Sequence, residues 1–466
     1  MSQSALRHLP SVEKLLGHDA VVAAAHDLPR TVLVAAVRDT LAAAREALKA
    51  DADAVPELDA LAHDAVTRAR AGMQPLLRRV LNATGIVLHT NLGRAPLSER
   101  ARRAVADVAA GYSSLEYDLE AGERGDRGLG IERWLRRLTG AEAAFAVNNG
   151  AGAILLALAA VAAGKKVIVS RGELVEIGGS FRVPEIMEMS GATLVEVGAT
   201  NRTNLRDYER ALARHGKDVG AILRVHRSNF RMQGFVKQPE LSALVELAQS
   251  HKVPLLEDLG SGALVDLSEF GLEREPTVSD SLEAGVSLMT CSGDKLLGGS
   301  QAGLILGSAA LLAKVRTHPL ARALRVDKLA LAALESTLSL YAEPERARDE
   351  IPTLAMLSAS AGALGERAER LLLELTGRVA GLAGEVVEGE GEVGGGSLPL
   401  QKLTGPVVVL EHPALSAQEL ESRARHADPP VIGTIRSGRF RLDVRTLAEA
   451  EIAVAAMALA RAWTGR

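Results

Sequence analysis

Lys295 lies in a stretch whose residue types could support covalent chemistry by an amine. Residues 287–307 have the sequence SLMTCSGDKLLGGSQAGLILG, in which one apolar segment ends near Ser292 and a second begins at Gly303. A lysine held between two strands among small residues loses hydration, and a desolvated amine is a nucleophile that can form a Schiff base. Pyridoxal phosphate (PLP) is a cofactor that requires such a lysine. The alternative interpretation is a solvated lysine on a glycine-rich turn.

An acidic partner for such a cofactor lies upstream, in VPLLEDLGSG (253–262). Four apolar residues predict a short buried strand, and Glu257 and Asp258 follow at its carboxyl end, the edge where open α/β sheets bind ligands. Asp258 there could pair with the protonated ring nitrogen of PLP, which keeps the ring electron-withdrawing. The alternative is a solvated strand end. The combination of Asp258 with a later Lys295 favours the cofactor interpretation.

A third segment predicts a phosphate site. In FAVNNGAGAILLAL (145–158) a strand runs into a turn of small residues and then an Ala/Leu-rich helix. Free N–H groups and the dipole at a helix start favour an anion. The segment matches neither the P-loop nor the GxGxxG pattern, and many α/β turns look similar. We expect the cofactor phosphate to bind here, near Ser292, through Asn149, Gly150, Ala151 and Gly152.

Alternating strands and helices must position these residues. Seven short apolar segments between about 76 and 340 predict a mostly parallel sheet covered by helices on both faces. The predicted strands are Phe145–Val147, Val167–Val169, Thr193–Val197, Ala221–Val225, Pro254–Glu257, Val286–Thr290 and Gly303–Leu306. The sequence therefore predicts an α/β large domain with a seven-stranded sheet.

Two further domains flank this one in the prediction. Residues 1–75 have amphipathic helical patterns and form a helical N-terminal domain, residues 76–344 form the large domain, and residues 345–466 form a smaller C-terminal α/β domain. In the last of these we expect a helix at 353–377, strands near 383–388, 405–410 and 439–443, and a final helix at 446–463. The glycine-rich segment 389–399 is predicted to be a turn or a flexible loop.

Composition limits the class of protein. Forty-seven per cent of the 466 residues are hydrophobic, which suits a large core, and the net charge of −4 does not suit a non-specific nucleic-acid binder. The single cysteine, Cys291, cannot form an intrachain disulfide and is typical of a reducing compartment. Because no signal peptide or long apolar span is evident, we expect a cytoplasmic protein without a membrane segment.

The motifs together resemble the bacterial L-seryl-tRNA(Sec) selenium transferases, the selenocysteine synthases. The resemblance runs almost from end to end, and its most specific parts are the segments at 78–101 and 170–203. The matching segments are LPSVEKLL (9–16), RRVLNATGIVLHTNLGRAPLSERA (78–101), SRGELVEIGGSFRVPEIMEMSGATLVEVGATNRT (170–203), VHRSNFRMQGF (225–235), EDLGSG (257–262) and SGDKLLGGSQAG (292–303).

The resemblance implies a fold type I PLP enzyme with the aspartate-aminotransferase-like fold. Its implied reaction converts L-seryl-tRNA(Sec) to L-selenocysteinyl-tRNA(Sec), with Lys295 holding PLP as an aldimine, loss of water to an aminoacrylyl intermediate, and addition of selenium from selenophosphate at Cβ. It further implies a homo-oligomer, in this family a decamer, and an N-terminal domain that binds the tRNA. No metal is expected. Residues 1–75 contain eight Lys or Arg and ten Asp or Glu, and this slight acidic excess fits tRNA binding poorly.

Selenophosphate is a compact polyanion that suits arginine. Arg94 lies in the polar segment HTNLGRAP, and Arg322 and Arg325 are spaced to share one face of a predicted helix. We expect these three to bind the substrate anion, although a solvated basic face would explain the last two as well. His226 follows a predicted strand at the binding edge and is a candidate cofactor contact or a structural histidine. Glu173 and Ser180 are further candidates in the segment 170–203.

Two other functions remain open from sequence. A PLP-dependent lyase acting on a small amino acid or amino sugar phosphate would keep Lys295, Asp258 and the phosphate turn but would not need a helical N-terminal domain. A non-enzymatic α/β scaffold with a degenerate site would not need the intact pair of Asp258 and Lys295.

Overall fold

The structure is a computed structural model that describes residues 8–50, 56–177 and 181–465. It divides into two compact units, residues 1–79 and 80–466. In the described part of the first unit, four helices enclose a core of their own: α1 (Val12–Leu16), α2 (Asp19–Ala24), α3 (Arg30–Ala50) and α4 (Leu58–Met73). Leu33, Val37 and Leu41 recur every four residues along α3 and are buried, so this helix supplies one apolar stripe to the core.

The second unit alternates strands and helices through most of its length. Its strands are β1 (Leu81–Asn82), β2 (Ile86–Leu88), β3 (Tyr117–Asp118), β4 (Glu123–Arg124), β5 (Ala143–Val147), β6 (Lys166–Ser170), β7 (Glu176–Ile177), β8 (Phe181–Arg182), β9 (Thr193–Val197), β10 (Val219–Val225), β11 (Leu255–Gly260), β12 (Leu288–Ser292), β13 (Gly303–Gly307), β14 (Ala383–Gly394), β15 (Lys402–Glu411), β16 (Val431–Ile432), β17 (Thr434–Arg436) and β18 (Arg439–Asp443).

The helices of this unit begin after β2. They are α5 (Glu99–Ala109), α6 (Leu129–Thr139), α7 (Gly150–Ala162), α8 (Val183–Met189), α9 (Leu205–His215), α10 (Leu241–Ser250), α11 (Val278–Glu283), α12 (Ala309–Thr317), α13 (Pro319–Ala323), α14 (Lys328–Leu340), α15 (Pro344–Glu350), α16 (Pro352–Leu357), α17 (Ala361–Arg378), α18 (Ala417–Arg425) and α19 (Glu451–Thr464). None of the described helices is both long and apolar enough to cross a bilayer.

The central sheet has the strand order β5-β13-β12-β11-β10-β6-β9. The pairs β11–β12, β10–β11, β6–β10 and β6–β9 are parallel, whereas β13 runs antiparallel to both of its neighbours. All five residues of β12 and of β13 are buried, as expected for strands covered on both faces. The predicted mostly parallel α/β sheet is therefore confirmed, and the antiparallel strand β13 makes it mixed.

A second sheet is built mainly from the C-terminal segment. Its order is β17-β18-β15-β14-β2, and β1 pairs separately with β16. A core that includes Leu371, Phe440 and Trp463 lies between this sheet and helices α17 and α19. Strands β1 and β2 lie in the sequence range predicted for the large domain, but they pair with C-terminal strands.

The prediction of a turn or flexible loop over 389–399 is wrong for its first half. Strand β14 continues through Gly389 and Gly391 to Gly394; it pairs with β15 from Ala383 to Glu392 and with β2 at its end. A Cβ at Gly389 would lie 2.5 Å from Val407 Cγ2, and one at Gly391 would lie 2.5 Å from the Gly85 carbonyl oxygen. The glycines are thus needed for close strand contact rather than for a turn.

Two helices of the C-terminal segment also differ from prediction. The helix expected at 353–377 is divided into α16 and α17, because Ser360 caps a new helix by accepting a hydrogen bond from the Ala363 N–H (3.2 Å). The final helix begins at Glu451 rather than at 446, since residues 444–446 form a 3-10 turn capped by Asp443.

Candidate active site

Lys295 lies in a tight turn between β12 and β13 and is only 5% exposed. The turn is fixed by hydrogen bonds from the Gly293 N–H to the Ala302 carbonyl (2.8 Å) and from the Leu296 N–H to the Ser261 carbonyl (3.1 Å). Gly298 permits the reversal because its φ is +74°. The backbone around Lys295 is therefore rigid, which favours a fixed position for its amine.

Asp258 lies on β11, next to β12, and is close enough to Lys295 for the two charges to interact. Its Oδ1 accepts a hydrogen bond from Thr290 Oγ1 (2.8 Å). Burial raises the pKa of Asp258, against the opposing influence of Thr290 and Lys295. Burial lowers the pKa of Lys295, and Arg94 adds to that effect, while Asp258 opposes it. The pair combines a desolvated amine with a partly buried carboxyl group.

Small residues surround the amine. Cβ atoms placed on Gly260 and Gly396 would lie 3.9 and 4.0 Å from Lys295 Nζ. Nearby, Ser228 Oγ and Asn229 Oδ1 are buried and have no hydrogen-bond partner among the described residues. Buried polar atoms are normally satisfied, so these atoms indicate a polar ligand beside the amine.

The predicted phosphate turn begins helix α7. Asn149 caps the helix, its Oδ1 accepting from the Gly152 N–H at 2.7 Å. The N–H of Gly152 is therefore satisfied within the chain, and Gly150 and Ala151 keep the N–H groups that a helix start leaves for an anion. A Cβ on Gly150 would lie 2.7 Å from Ser292 Oγ, so the hydroxyl of Ser292 borders the turn.

Arg94 reaches the lysine turn from the segment after β2. Its Nη1 donates to Asp294 Oδ2 at 2.8 Å, and the Ala95 N–H donates to the Asp294 carbonyl at 3.4 Å. The Nε of Arg94 is buried and lacks a partner among the described residues. Arg94 adopts a left-handed φ of 61°, which is unusual outside glycine. The structure thus brings Arg94 and Lys295 together.

The expectation that Arg322 and Arg325 share one helix face is wrong. Helix α13 ends at Ala323, and Arg325 forms an isolated antiparallel bridge with Val147. Both arginines nevertheless line one cavity of about 520 Å³, which Lys295 does not line. The Asn148 N–H donates to the Leu324 carbonyl (2.9 Å), so the cavity adjoins the phosphate turn.

His226 lies at the end of β10, where its backbone N–H donates to the Asp258 carbonyl (2.9 Å). Its ring Nε2 lies 3.1 Å from Oε1 of Glu275, a buried residue. This ion-pair geometry fixes the ring orientation next to the strand that carries Asp258. Neither Glu275 nor Asp294 was a predicted site residue. Asp294 could have been found as the neighbour of Lys295, but no sequence signal marks Glu275.

Glu173 is buried behind the same sheet edge. Its Oε2 accepts from the Val225 N–H (3.2 Å), and its Oε1 accepts from Gln238 Nε2 (3.2 Å). Burial raises the pKa of Glu173 to about 7, although the Val225 hydrogen bond and nearby Arg224 lower it. Glu173 therefore joins strand β10 to the segment that follows it, and Ser180 lies outside the described residues.

This arrangement fits PLP. Lys295 would hold the cofactor, Asp258 would face its ring nitrogen, and the start of α7 with Ser292 would bind its phosphate. The fit rests on the desolvated amine, the partly buried carboxyl group, the space left by Gly260 and the unpaired buried atoms of Ser228 and Asn229.

Comparisons with known proteins agree with these features. The family model described as L-seryl-tRNA selenium transferase matches residues 80–448, and the one described as selenocysteine synthase N terminal matches residues 6–45. The chain is 47% identical over 446 residues to the L-seryl-tRNA(Sec) selenium transferase of Geobacter sulfurreducens, covering 94% of this chain and 95% of that protein. It is 48% identical over 473 residues to the protein of the same name from Nitratidesulfovibrio vulgaris, covering 98% of each.

A solved structure supports the fold independently. The D-glucosaminate-6-phosphate ammonia-lyase structure aligns with a TM-score of 0.56 and 21% identity, over 84% of this chain and 96% of that chain. At this identity the likeness shows a shared fold. Because the family model matches more than half of the chain and the relatives are nearly half identical over almost their whole length, the chain belongs to the L-seryl-tRNA selenium transferase family.

Proposed function

We propose that this protein converts L-seryl-tRNA(Sec) to L-selenocysteinyl-tRNA(Sec), with PLP as cofactor and selenophosphate as the selenium donor. The observation that carries the proposal is the pair of buried Lys295 and partly buried Asp258 at the carboxyl edge of the sheet, in a chain of this family. The finer parts of the proposal are an aspartate-aminotransferase-like large domain and a cytoplasmic location.

The chain's own groups have distinct parts in this reaction. Bound PLP supplies an electron-withdrawing ring that stabilises negative charge at the seryl Cα. Asp258, which is partly buried, would pair with the ring nitrogen and favour its protonated form. Lys295, whose pKa burial lowers, is the group that removes the Cα proton, because a neutral amine can accept a proton. The start of α7 and Ser292 would hold the cofactor phosphate and so orient the cofactor relative to Lys295.

Three arginines are proposed to bind the selenium donor. Arg94 lies beside the lysine turn, and Arg322 and Arg325 line the cavity that adjoins the phosphate turn. Guanidinium groups bind tetrahedral oxyanions through paired N–H donors, which suits selenophosphate. Arg94 lines a different cavity from Arg322 and Arg325. This favours a site to which more than one subunit contributes, and we propose a homo-oligomer, a decamer.

The N-terminal unit is proposed to bind tRNA(Sec). The helices described in this unit have a core of their own, and the family model for this region matches residues 6–45. Because the predicted domain at 1–75 has a slight acidic excess, recognition there would depend on shape and on a few arginines.

An absorbance spectrum tests the cofactor assignment directly. Wild-type protein reconstituted with PLP should absorb in the range of roughly 400–430 nm, and borohydride should bleach this band. Lys295→Ala should lack the band, whereas Lys314→Ala, which removes an exposed lysine of α12, should keep it. A wild-type protein that takes up no PLP would exclude the proposed enzyme.

Turnover is tested on the same preparation. The PLP-loaded wild type should convert seryl-tRNA(Sec) only when selenophosphate is present. A protein that binds PLP but leaves seryl-tRNA(Sec) unchanged would favour a PLP-dependent lyase of the same fold.

A further inference from the structure

Glu116 occupies the centre of a group of arginines outside the lysine site. Its Oε2 lies 3.0 Å from Arg124 Nη2, and its Oε1 lies 3.1 Å from Arg127 Nε and 3.3 Å from Arg325 Nη1. One carboxylate therefore pairs with three guanidinium groups. Its side chain is 25% exposed, so these contacts are open to solvent on one side.

The three arginines come from different parts of the fold. Arg124 lies on the short hairpin β3–β4, and Arg127 follows it and donates through Nη1 to the Val326 carbonyl (2.8 Å). Arg325 bridges to Val147 at the end of β5, two residues before the helix cap Asn149. Glu116 thus lies where a small anion near the phosphate turn would find its guanidinium ligands.

The ionised state of Glu116 and the side chain of Arg322 both indicate that this cavity suits an anion. The three guanidinium groups hold the pKa of Glu116 below its usual value, even though burial opposes them, so Glu116 is an anion at neutral pH. Arg322 lines the same cavity and has no hydrogen-bond or ion-pair partner among the described residues. The cavity, about 520 Å³, has room for an anion the size of phosphate beside the carboxylate.

We infer that Glu116 is an internal counterion of Arg325, and that a phosphate-like dianion displaces Glu116 when it binds to this arginine. This displacement favours dianions over monoanions such as chloride. A dianion interacts more strongly with several guanidinium groups, and only that stronger interaction offsets the loss of the Glu116 ion pairs. This inference rests on the proposed function for the identity of the anion, selenophosphate. The binding step itself can be measured without any turnover.

Phosphate binding to the PLP-loaded protein tests the inference. With the cofactor site filled, inorganic phosphate and thiophosphate are titrated into wild type and Glu116→Gln and followed by calorimetry. Glu116→Gln keeps the side-chain shape and removes the competing charge, so it should bind both anions about fivefold more tightly, the effect of roughly one ion pair at a partly exposed site. Chloride, titrated as a competitor, should weaken phosphate binding more in Glu116→Gln than in wild type.

Two matched variants locate the effect. Asp126→Asn removes an exposed carboxylate that lines the same cavity but pairs with no described residue, so phosphate binding should change little. Arg322→Ala should weaken phosphate binding in the Glu116→Gln background. An RNA oligonucleotide ending in CCA should not displace the phosphate, since the proposed ligand is the small donor anion.

Several outcomes would overturn the inference. Glu116→Gln binding phosphate no more tightly than wild type would show that the carboxylate positions the arginines instead of blocking them. An equal gain in Asp126→Asn would indicate general electrostatics, and no response to Arg322→Ala would place the anion elsewhere. Should Glu116→Gln fail to fold, Glu116→Asp, whose charge is retracted by one methylene, should show a smaller gain. Failure of wild type to convert seryl-tRNA(Sec) would reject the proposed function without changing any of these binding results.

Discussion

Glu173 shows how a single buried carboxyl group links stability to pH. Burial raises its pKa from 4.5 to about 7, which means that the folded protein holds this proton more tightly than the unfolded chain. Its contribution to stability is therefore complete below about pH 4.5 and is lost as the pH rises through about 7. The difference corresponds to roughly 3 kcal/mol when the titration is complete.

Replacing Glu173 by glutamine should remove this dependence. Glutamine can still accept from the Val225 N–H, so Glu173→Gln should match wild type near pH 4.5 and be more stable at pH 8.5, by up to roughly 3 kcal/mol. Urea unfolding of both proteins at the two pH values measures this. Glu196→Gln, at a half-exposed site paired with Arg171, should change stability little at either pH. An equal stability difference at both pH values would contradict the assigned titration.

Individual residues that lie in local sequence motifs were predictable, whereas the residues that they contact in the fold were not. Lys295 and Asp258 stand out because apolar strands and glycines flank them in sequence. Asp294 pairs with Arg94 from 200 positions away, and Glu275 faces His226 from 49 positions away. Such pairings depend on how strands are ordered in the sheet, which local patterns do not contain.

Strand β13 and helix α7 are packed so closely that one added methyl group should disturb the proposed phosphate site. A Cβ on Gly303 would lie 2.0 Å from the carbonyl oxygen of Asn149, the residue that caps α7. Gly303→Ala must therefore shift the helix start that is proposed to bind the cofactor phosphate. We expect a loss of about 1–3 kcal/mol in stability and a cofactor dissociation constant raised at least about tenfold.

Fluorescence titration with PLP, together with thermal unfolding, measures both effects. Gly365→Ala is the matched control, because Gly365 lies within helix α17 and a Cβ there meets nothing within 4 Å. That variant should gain about 0.5–1 kcal/mol and bind PLP normally. If Gly303→Ala is destabilised but binds PLP with unchanged affinity, the contact between β13 and the start of α7 does not influence the phosphate site.

Elements were predicted well where periodicity is strong and poorly where tertiary contacts decide. Strands β6, β12 and β13 are buried along nearly their whole length, so their continuous apolar sequences are sufficient to indicate strands. Gly389 and Gly391 were mistaken for turn residues. Glycine is needed there because Val407 and Gly85 leave no space for a Cβ, and this contact is not visible in the local sequence. Arg325 misled it because the helix ends at Ala323 and the chain then pairs with Val147.

At the scale of the whole molecule, the two units are expected to separate cofactor binding from tRNA recognition. Residues 1–79 form one compact unit with its own core, and every proposed ligand of PLP lies in residues 80–466. Deleting residues 1–75 should therefore leave the absorbance band and its bleaching by borohydride unchanged. The truncated protein should lose conversion of seryl-tRNA(Sec), with the larger part of the loss in KM for the tRNA.

The same truncation separates the two enzyme functions left open by the sequence. A lyase acting on a small amino acid or amino sugar phosphate makes no use of a tRNA-binding unit, so its kcat/KM would survive the deletion. Phosphate binding provides the control for folding, since the arginine cavity also lies in residues 80–466 and should bind phosphate as in the full chain. A truncated protein that binds PLP and phosphate and still converts seryl-tRNA(Sec) with unchanged KM would place tRNA recognition in the second unit, where the acidic excess of residues 1–75 would no longer oppose it.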